Sequence, residues 1–204
     1  MAPDPPPEYG PGFLTWLRET TEAAWANVEE PSLDDFRSAG FIGATWRRGT
    51  RWTGPLDDET ITQLERRFGV HFPPDYRLLL QTLHSTTPWR RGAHDGTVDL
   101  VEYRAPGFYD WLHEGTCIRA RMQAVADRSE FAEELDLHYG GRRWLEGGPS
   151  PQLLPIYAHR YVVDDDSQWV LSIVGGDAIV YGENLRAYLL AELDDVLKAS
   201  EDRP

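Results

Sequence analysis

Six histidines, one cysteine and a run of three aspartates are the side chains of this 204-residue sequence best suited to chemistry. His71, His84, His94, His113, His138 and His159 are scattered, with no HExxH pair and no cysteine close by, so their spacing builds no zinc site. Each reads as a surface or hydrogen-bonded histidine. Asp164-Asp165-Asp166 could ligate a hard cation, but it lacks the spaced oxygens and glycine of a calcium loop and reads as a solvated hairpin tip. Cys117 falls inside a helical stretch, where a buried structural thiol is expected. No GxSxG elbow, GxxxxGK[ST] loop or GxGxxG turn occurs. The carboxylate pairs Glu133-Glu134 and Asp194-Asp195 fall on exposed helix positions. These residues predict no catalytic centre, no metal and no cofactor.

The aromatic residues point elsewhere. Trp46 and Trp52 flank Arg47, Arg48 and Arg51, a basic-aromatic patch on which bases could stack. A net charge of −14 opposes a phosphate backbone, so direct nucleic-acid binding is not expected. Eight Trp and nine Tyr exceed ordinary core filling, and such residues anchor protein interfaces. Trp46, Trp52 and Trp111 are the predicted partner anchors, with Asp164, Asp165 and Asp166 as an acidic rim; the competing reading is that the rings fill the core.

The elements positioning these residues follow from patterning. Five prolines and two glycines within residues 1–12 predict a disordered or extended arm. Phe13, Leu14, Leu17, Ala24 and Val28 keep rough helical spacing, and a short helix Leu33–Ser38 ending at Gly40 follows. Residues 13–53 thus read as a helical extension before a domain over 54–198. Asp57 or Asp58 caps a helix carrying Ile61, Leu64 and Phe68, ended by Gly69. Pro73-Pro74 opens the next, with Tyr76, Leu79, Leu80 and Leu83 on one face. Thr97–Tyr103 reads as a strand, 115–127 and 129–138 as helices, and the Gly- and Pro-rich stretch to Pro151 as a loop. Strands are expected at Leu153–Val163, Gln168–Val174 and Asp177–Tyr181, the last two joined by a Gly175-Gly176 hairpin turn. A final helix starts at Glu183 or Asn184 and turns Leu185, Tyr188, Leu189, Leu193 and Val196 inward. The sum is α+β: an antiparallel sheet with helices packed on one face.

Composition sets the class. The length suits one domain, or one domain with an extension, and a core that needs no staples. One cysteine excludes a disulfide framework and fits a reducing compartment. No run approaches the roughly 18 apolar residues of a membrane span, and the opening residues lack a signal-peptide pattern, so a cytoplasmic protein without membrane contact is expected. Charge is uneven: residues 1–35 carry eight acids against Arg18 alone, whereas 36–56 carry four arginines and no acid.

The stretch from Ile61 to Leu80, with Leu64-Glu65, Gly69, Pro73-Pro74-Asp75-Tyr76 and then Leu78-Leu79-Leu80, resembles the opening signature of the SMI1/KNR4 (SUKH) family. The later stretches Leu154–Tyr161, Val170–Ile173 and Asp177–Leu185, including Tyr181-Gly182 and Asn184-Leu185, are similar to the family's closing pattern. Together they bracket about residues 54–197. Where many members carry Asn-Gly-Gly after the leucine-rich helix, this chain has His84-Ser85-Thr86. The resemblance implies a SUKH-like, non-catalytic α+β module. Many bacterial members are similar to immunity proteins that bind and neutralise toxins, often nucleases, and fungal members to scaffold regulators of cell-wall signalling. The partner so implied is a protein, a toxin domain with a basic surface. A regulator binding a self-made partner and a cryptic small-molecule or enzyme pocket are the competing functions.

Overall fold

In the computed structural model, residues 6–28, 46, 48–87, 107–126, 152–165, 167–174 and 177–201 are described. The expected helix Leu33–Ser38, strand Thr97–Tyr103, helix 129–138, the loop to Pro151, the Gly175-Gly176 turn, Glu133-Glu134, His94, His138 and Asp166 lie outside them.

Helix α1 spans Pro11–Trp25, its first turn preset by Pro11. It buries Phe13, Leu14, Leu17, Thr21, Ala24 and Trp25 and packs against α3 and α6, defined below. Its apolar members share one cluster with residues as far away as Val196, so the described part of the expected extension belongs to the core. The described part of the expected arm is likewise tied to the domain. The Tyr9 hydroxyl donates to the Asp75 carbonyl at 2.6 Å, and the Arg186 guanidinium donates to the carbonyls of Pro6 and Pro7, each at 2.9 Å. Prolines hold these carbonyls clear of local pairing, which leaves them available to a distant donor.

Helix α2 (Asp58–Phe68) is capped by Asp57, whose carboxylate accepts from the Thr60 N–H at 2.7 Å. That bond holds the Asp57 carboxyl below its ordinary range. Gly69 ends the helix with φ 67°. Helix α3 (Pro74–Thr82) buries Tyr76, Leu79 and Leu80, and Leu83 follows them into the core. Arg77 joins the two helices, donating to Glu65 at 3.1 Å and Asp58 at 3.0 Å. Residues 51–56 run back along the end of α3, with Thr53 N–H bonded to the Ser85 carbonyl and Trp52 bridging Thr86. Helix α4 spans Gly115–Ala126.

Strands β1 (Leu153–Tyr157), β2 (Arg160–Val163), β3 (Val170–Val174) and β4 (Asp177–Gly182) form an antiparallel sheet in chain order. The expected single strand 153–163 is instead the β1–β2 hairpin. Its turn uses Ala158 at φ 45°, a conformation alanine seldom adopts, so no Gly or Asn marked it. Pairing of Val174 with Asp177 leaves two residues between β3 and β4. The expectation of helices on one face also needs correcting. Leu154, Ile156, Val162 and Val170 enter the main core, while Tyr161, Val163, Leu171, Ile173 and Ala178 form a second cluster with Val125 of α4. β2 and β3 are buried on both faces except at Val174, as continuous apolar runs should be.

The chain closes with α5 (Leu185–Glu192), capped by Asn184, and α6 (Asp194–Glu201). All five inward residues expected here are buried. α5 packs against β4 through Gly182: a Cβ there would lie 2.6 Å from Tyr188 Cβ and 2.8 Å from its backbone N and Cα. Gly182→Ala is therefore expected to destabilise by about 2–3 kcal/mol. Gly115→Ala, which meets the flexible end of Arg67 at 2.9 Å, should stay within about 0.5 kcal/mol or stabilise. Urea denaturation of the two variants checks the contrast.

Candidate partner-binding surface

The three predicted tryptophan anchors are not surface residues: Trp46, Trp52 and Trp111 are 9, 6 and 0% exposed. Trp46 lies 4.7 Å from Trp25 and 5.6 Å from Tyr157, and Trp52 lies 4.6 Å from Phe108. The Trp52 indole N–H donates to the Thr21 hydroxyl at 2.9 Å, satisfying the ring's one polar group in the core. Arg48 and Arg51 point outward, Arg51 facing Glu22 at 3.6 Å. The basic-aromatic patch is thus divided, rings in and guanidinium groups out.

The acidic rim is less solvated than expected. Asp164 and Asp165 are half-buried. Burial pushes the Asp164 carboxyl up, partly offset by His71, and Asp165 accepts from the Ser167 N–H at 2.8 Å and from its hydroxyl. Cys117 is exposed rather than buried, because α4 turns Ile118, Met122 and Val125 inward instead.

The large apolar side chains that remain exposed among the described residues are Val174 (46%) and Ile179 (50%). Ile179 pairs with Ser172 and Val174 with Asp177, so the two are diagonal neighbours on one face. β4 is the last strand of the sheet among the described residues, and it carries exposed Asp177 and Ile179, with exposed Glu183 just after it. Where β4 meets α5, Trp169, Val180, Tyr181, Gly182, Glu183 and Ala187 line a groove of about 580 Å³.

Behind that groove lies a buried polar cluster that the sequence reading missed. Arg160 Nε donates to Glu192 at 2.9 Å and Nη1 to the Ser172 hydroxyl at 2.6 Å and to His159 Nε2. Its guanidinium stacks 3.8 Å from the Tyr181 ring centre. Burial raises the Glu192 carboxyl, and Arg160 partly restrains the rise. The buried hydroxyls of Tyr157 and Tyr188 have no hydrogen-bond partner among the described residues, and both titrate well above the usual phenol range through burial and Glu192. Titratable groups with displaced pKa values therefore converge inside the core. Arg160, charged within an apolar strand, was the one signal that could have flagged them.

Burial, with Arg160 and Arg121 nearby, lowers His159 to about 4 from 6.5. The unfolded chain therefore takes up this proton first as pH falls. His159 should reduce stability progressively between about pH 6.5 and 4. His159→Gln should flatten that part of the pH–stability curve, measured by denaturation across the range.

His84 is buried at φ 56°, its ring Nδ1 3.4 Å from the Thr53 hydroxyl and Nε2 3.6 Å from Asp110. Burial lowers its pKa. Burial opposes charge on Asp110, yet hydrogen bonds from His113 hold that carboxyl below its ordinary range. His71 and His113 are exposed. Among the described residues no cluster of His, Cys, Asp or Glu could hold a metal ion, and no helix is long and apolar enough to cross a membrane. No family model, no curated protein and no solved structure matches the chain.

Proposed function

We propose that this chain is a non-catalytic protein-binding module, and that it acts as an immunity protein, neutralising a toxin domain with a basic surface by direct docking. The observation carrying the proposal is the Val174–Ile179 pair, large apolar side chains left exposed side by side on β3 and β4, in a chain of net charge −14. Apolar contact there would supply affinity, and the acidic surface would speed encounter with a basic partner and disfavour wrong ones. The SUKH-like reading draws support from residues at which the resemblance was found. Gly69 adopts the left-handed C-cap, Pro74 opens α3, Tyr76 donates to the Pro155 carbonyl at 3.2 Å, and Asn184 caps α5. At the departure from the family pattern, His84 itself takes a positive φ, which histidine tolerates better than most residues.

Co-expression with the product of the neighbouring reading frame tests the proposal. A stable complex and restored growth are expected, with affinity falling at least about tenfold (~1.4 kcal/mol) for Val174→Asp or Ile179→Asp. Capture of a housekeeping protein without rescue would favour a regulator, and turnover of a substrate by the pure protein would refute both.

A further inference from the structure

We propose that the protein partner adds an extended segment to the open edge of β4, antiparallel to it, with an aliphatic residue facing Ile179 and a lysine or arginine facing Asp177. This inference rests on the binding-module reading and names how the surface engages its partner. β4 is the last strand of the sheet, and among the described residues its backbone bonds to β3 and to no other segment. The ladder shows which of its groups are left over. The Ile173 N–H donates to the His159 carbonyl and the Val163 N–H to the Trp169 carbonyl, each at 3.0 Å, so Trp169 and Ile173 turn their backbone groups toward β2. Direction alternates along an antiparallel strand, so Ser172 and Val174 turn theirs toward β4, where they meet Ile179 and Asp177. Ala178 and Val180 therefore present their N–H and carbonyl groups to the open edge.

A strand bonded to Ala178 and Val180 sets one of its residues opposite Ile179 in a non-hydrogen-bonded pair. In such a pair the Cα atoms lie about 4.5 Å apart and the side chains meet most closely. An aliphatic residue there covers the exposed Ile179. Two positions further along the added strand, the next side chain on that face meets exposed Asp177. Edges that face only water are ordinarily blunted by lysine, proline or a covering element. β4 carries neither lysine nor proline and has an isoleucine near its middle. Charge selects the occupant. Asp177 and Glu183, the two exposed charged residues along this edge, are both acids. A second copy would match the isoleucine but would bring a net charge of −14 against −14. A basic segment gains where the copy loses.

Titration of the full-length protein with the peptide acetyl-Thr-Val-Thr-Ile-Thr-Arg-Thr-amide, followed by NMR, tests the assignment. Saturable shifts and slowed hydrogen exchange are expected at the Ala178 and Val180 amides. N-methylation of the two threonines flanking the isoleucine removes the donors that face β4 and should weaken binding at least tenfold. N-methylation of the isoleucine, whose N–H faces away, should weaken it less than threefold, and glutamate in place of the arginine at least fivefold. Equal binding of the doubly N-methylated peptide, or the absence of saturable shifts at these two amides, would overturn the proposal. A dimer of the free protein that Val180→Pro dissociates would also overturn it, with a second copy as the occupant. Co-expression separates the two ideas. Val180→Pro removes an outward N–H that β3 does not use, and urea denaturation checks that it folds; Asp177→Lys, at an exposed position, is the second variant. A complex and rescue that survive both unchanged would sink strand addition and leave the immunity reading standing. Peptide binding without any protein complex would sink the immunity reading and leave the chemistry of the edge intact.

Discussion

Replacing Trp111 with alanine is expected to remove about 3–5 kcal/mol of stability, a large share of the 5–15 kcal/mol typical of a domain. The ring is fully buried and meets Phe68, Phe72 and Tyr76 edge-on, at centroid distances of 5.0, 4.8 and 6.4 Å. Its indole N–H donates to the Tyr76 hydroxyl at 2.8 Å, and that hydroxyl donates to the Pro155 carbonyl of β1. Alanine would open a cavity among α2, α3 and the sheet and leave a buried phenol oxygen without its donor. Trp111→Phe keeps a ring but loses the N–H, and should cost about 1–3 kcal/mol, smaller than the truncation. Urea denaturation of both variants checks the order; an alanine variant within about 1 kcal/mol of wild type would contradict this account of the core.

The second large effect is at Arg160. With both side chains of the pair about nine-tenths buried, Arg160→Met strands the Glu192 carboxylate in the core and should cost about 3–5 kcal/mol near neutral pH. The loss should shrink in mild acid. Burial already raises the Glu192 carboxyl and Arg160 restrains it, so without the guanidinium the folded state takes up a proton more readily than the unfolded chain. Stability of the variant then rises, relative to wild type, as pH falls through that raised value. His159 acts in the same direction, because Arg160 is one cause of its lowered pKa. Adding Glu192→Leu should recover much of the loss at neutral pH, since two apolar groups replace the pair without leaving a charge. Denaturation at about pH 7.5 and pH 5 distinguishes these outcomes; equal losses at both would contradict them.

What could be read in advance depended on how far apart the interacting residues lie. The α2–α3 pair was legible because its signals are local: Asp57 bonds three residues ahead, Gly69 ends the helix it follows, and Pro74 opens the next. The inward face of α5 and α6 was legible for the same reason, with Asn184 marking the start. The β1–β2 hairpin was hidden because Ala158 performs a turn usually given to glycine. The tryptophans could not be placed, since Trp46 and Trp52 are covered by Trp25, Phe108 and Tyr157 from distant parts of the chain. The same holds for the polar cluster, where Arg160 and Glu192 are 32 residues apart. The candidate surface was still harder to read, because Val174 and Ile179 carry the same apolar signal as the strand residues beside them that are buried.

The contact between α1 and α6 bears on how the protein is made. A ribosome releases Phe13, Leu14 and Leu17 about 180 residues before α6, one of the surfaces that shields them. At about 5–20 residues per second, that sticky stripe waits some ten seconds or more for its cover. Chaperone engagement during synthesis, and rapid proteolysis of prematurely terminated products, follow from this stitching of early chain to late.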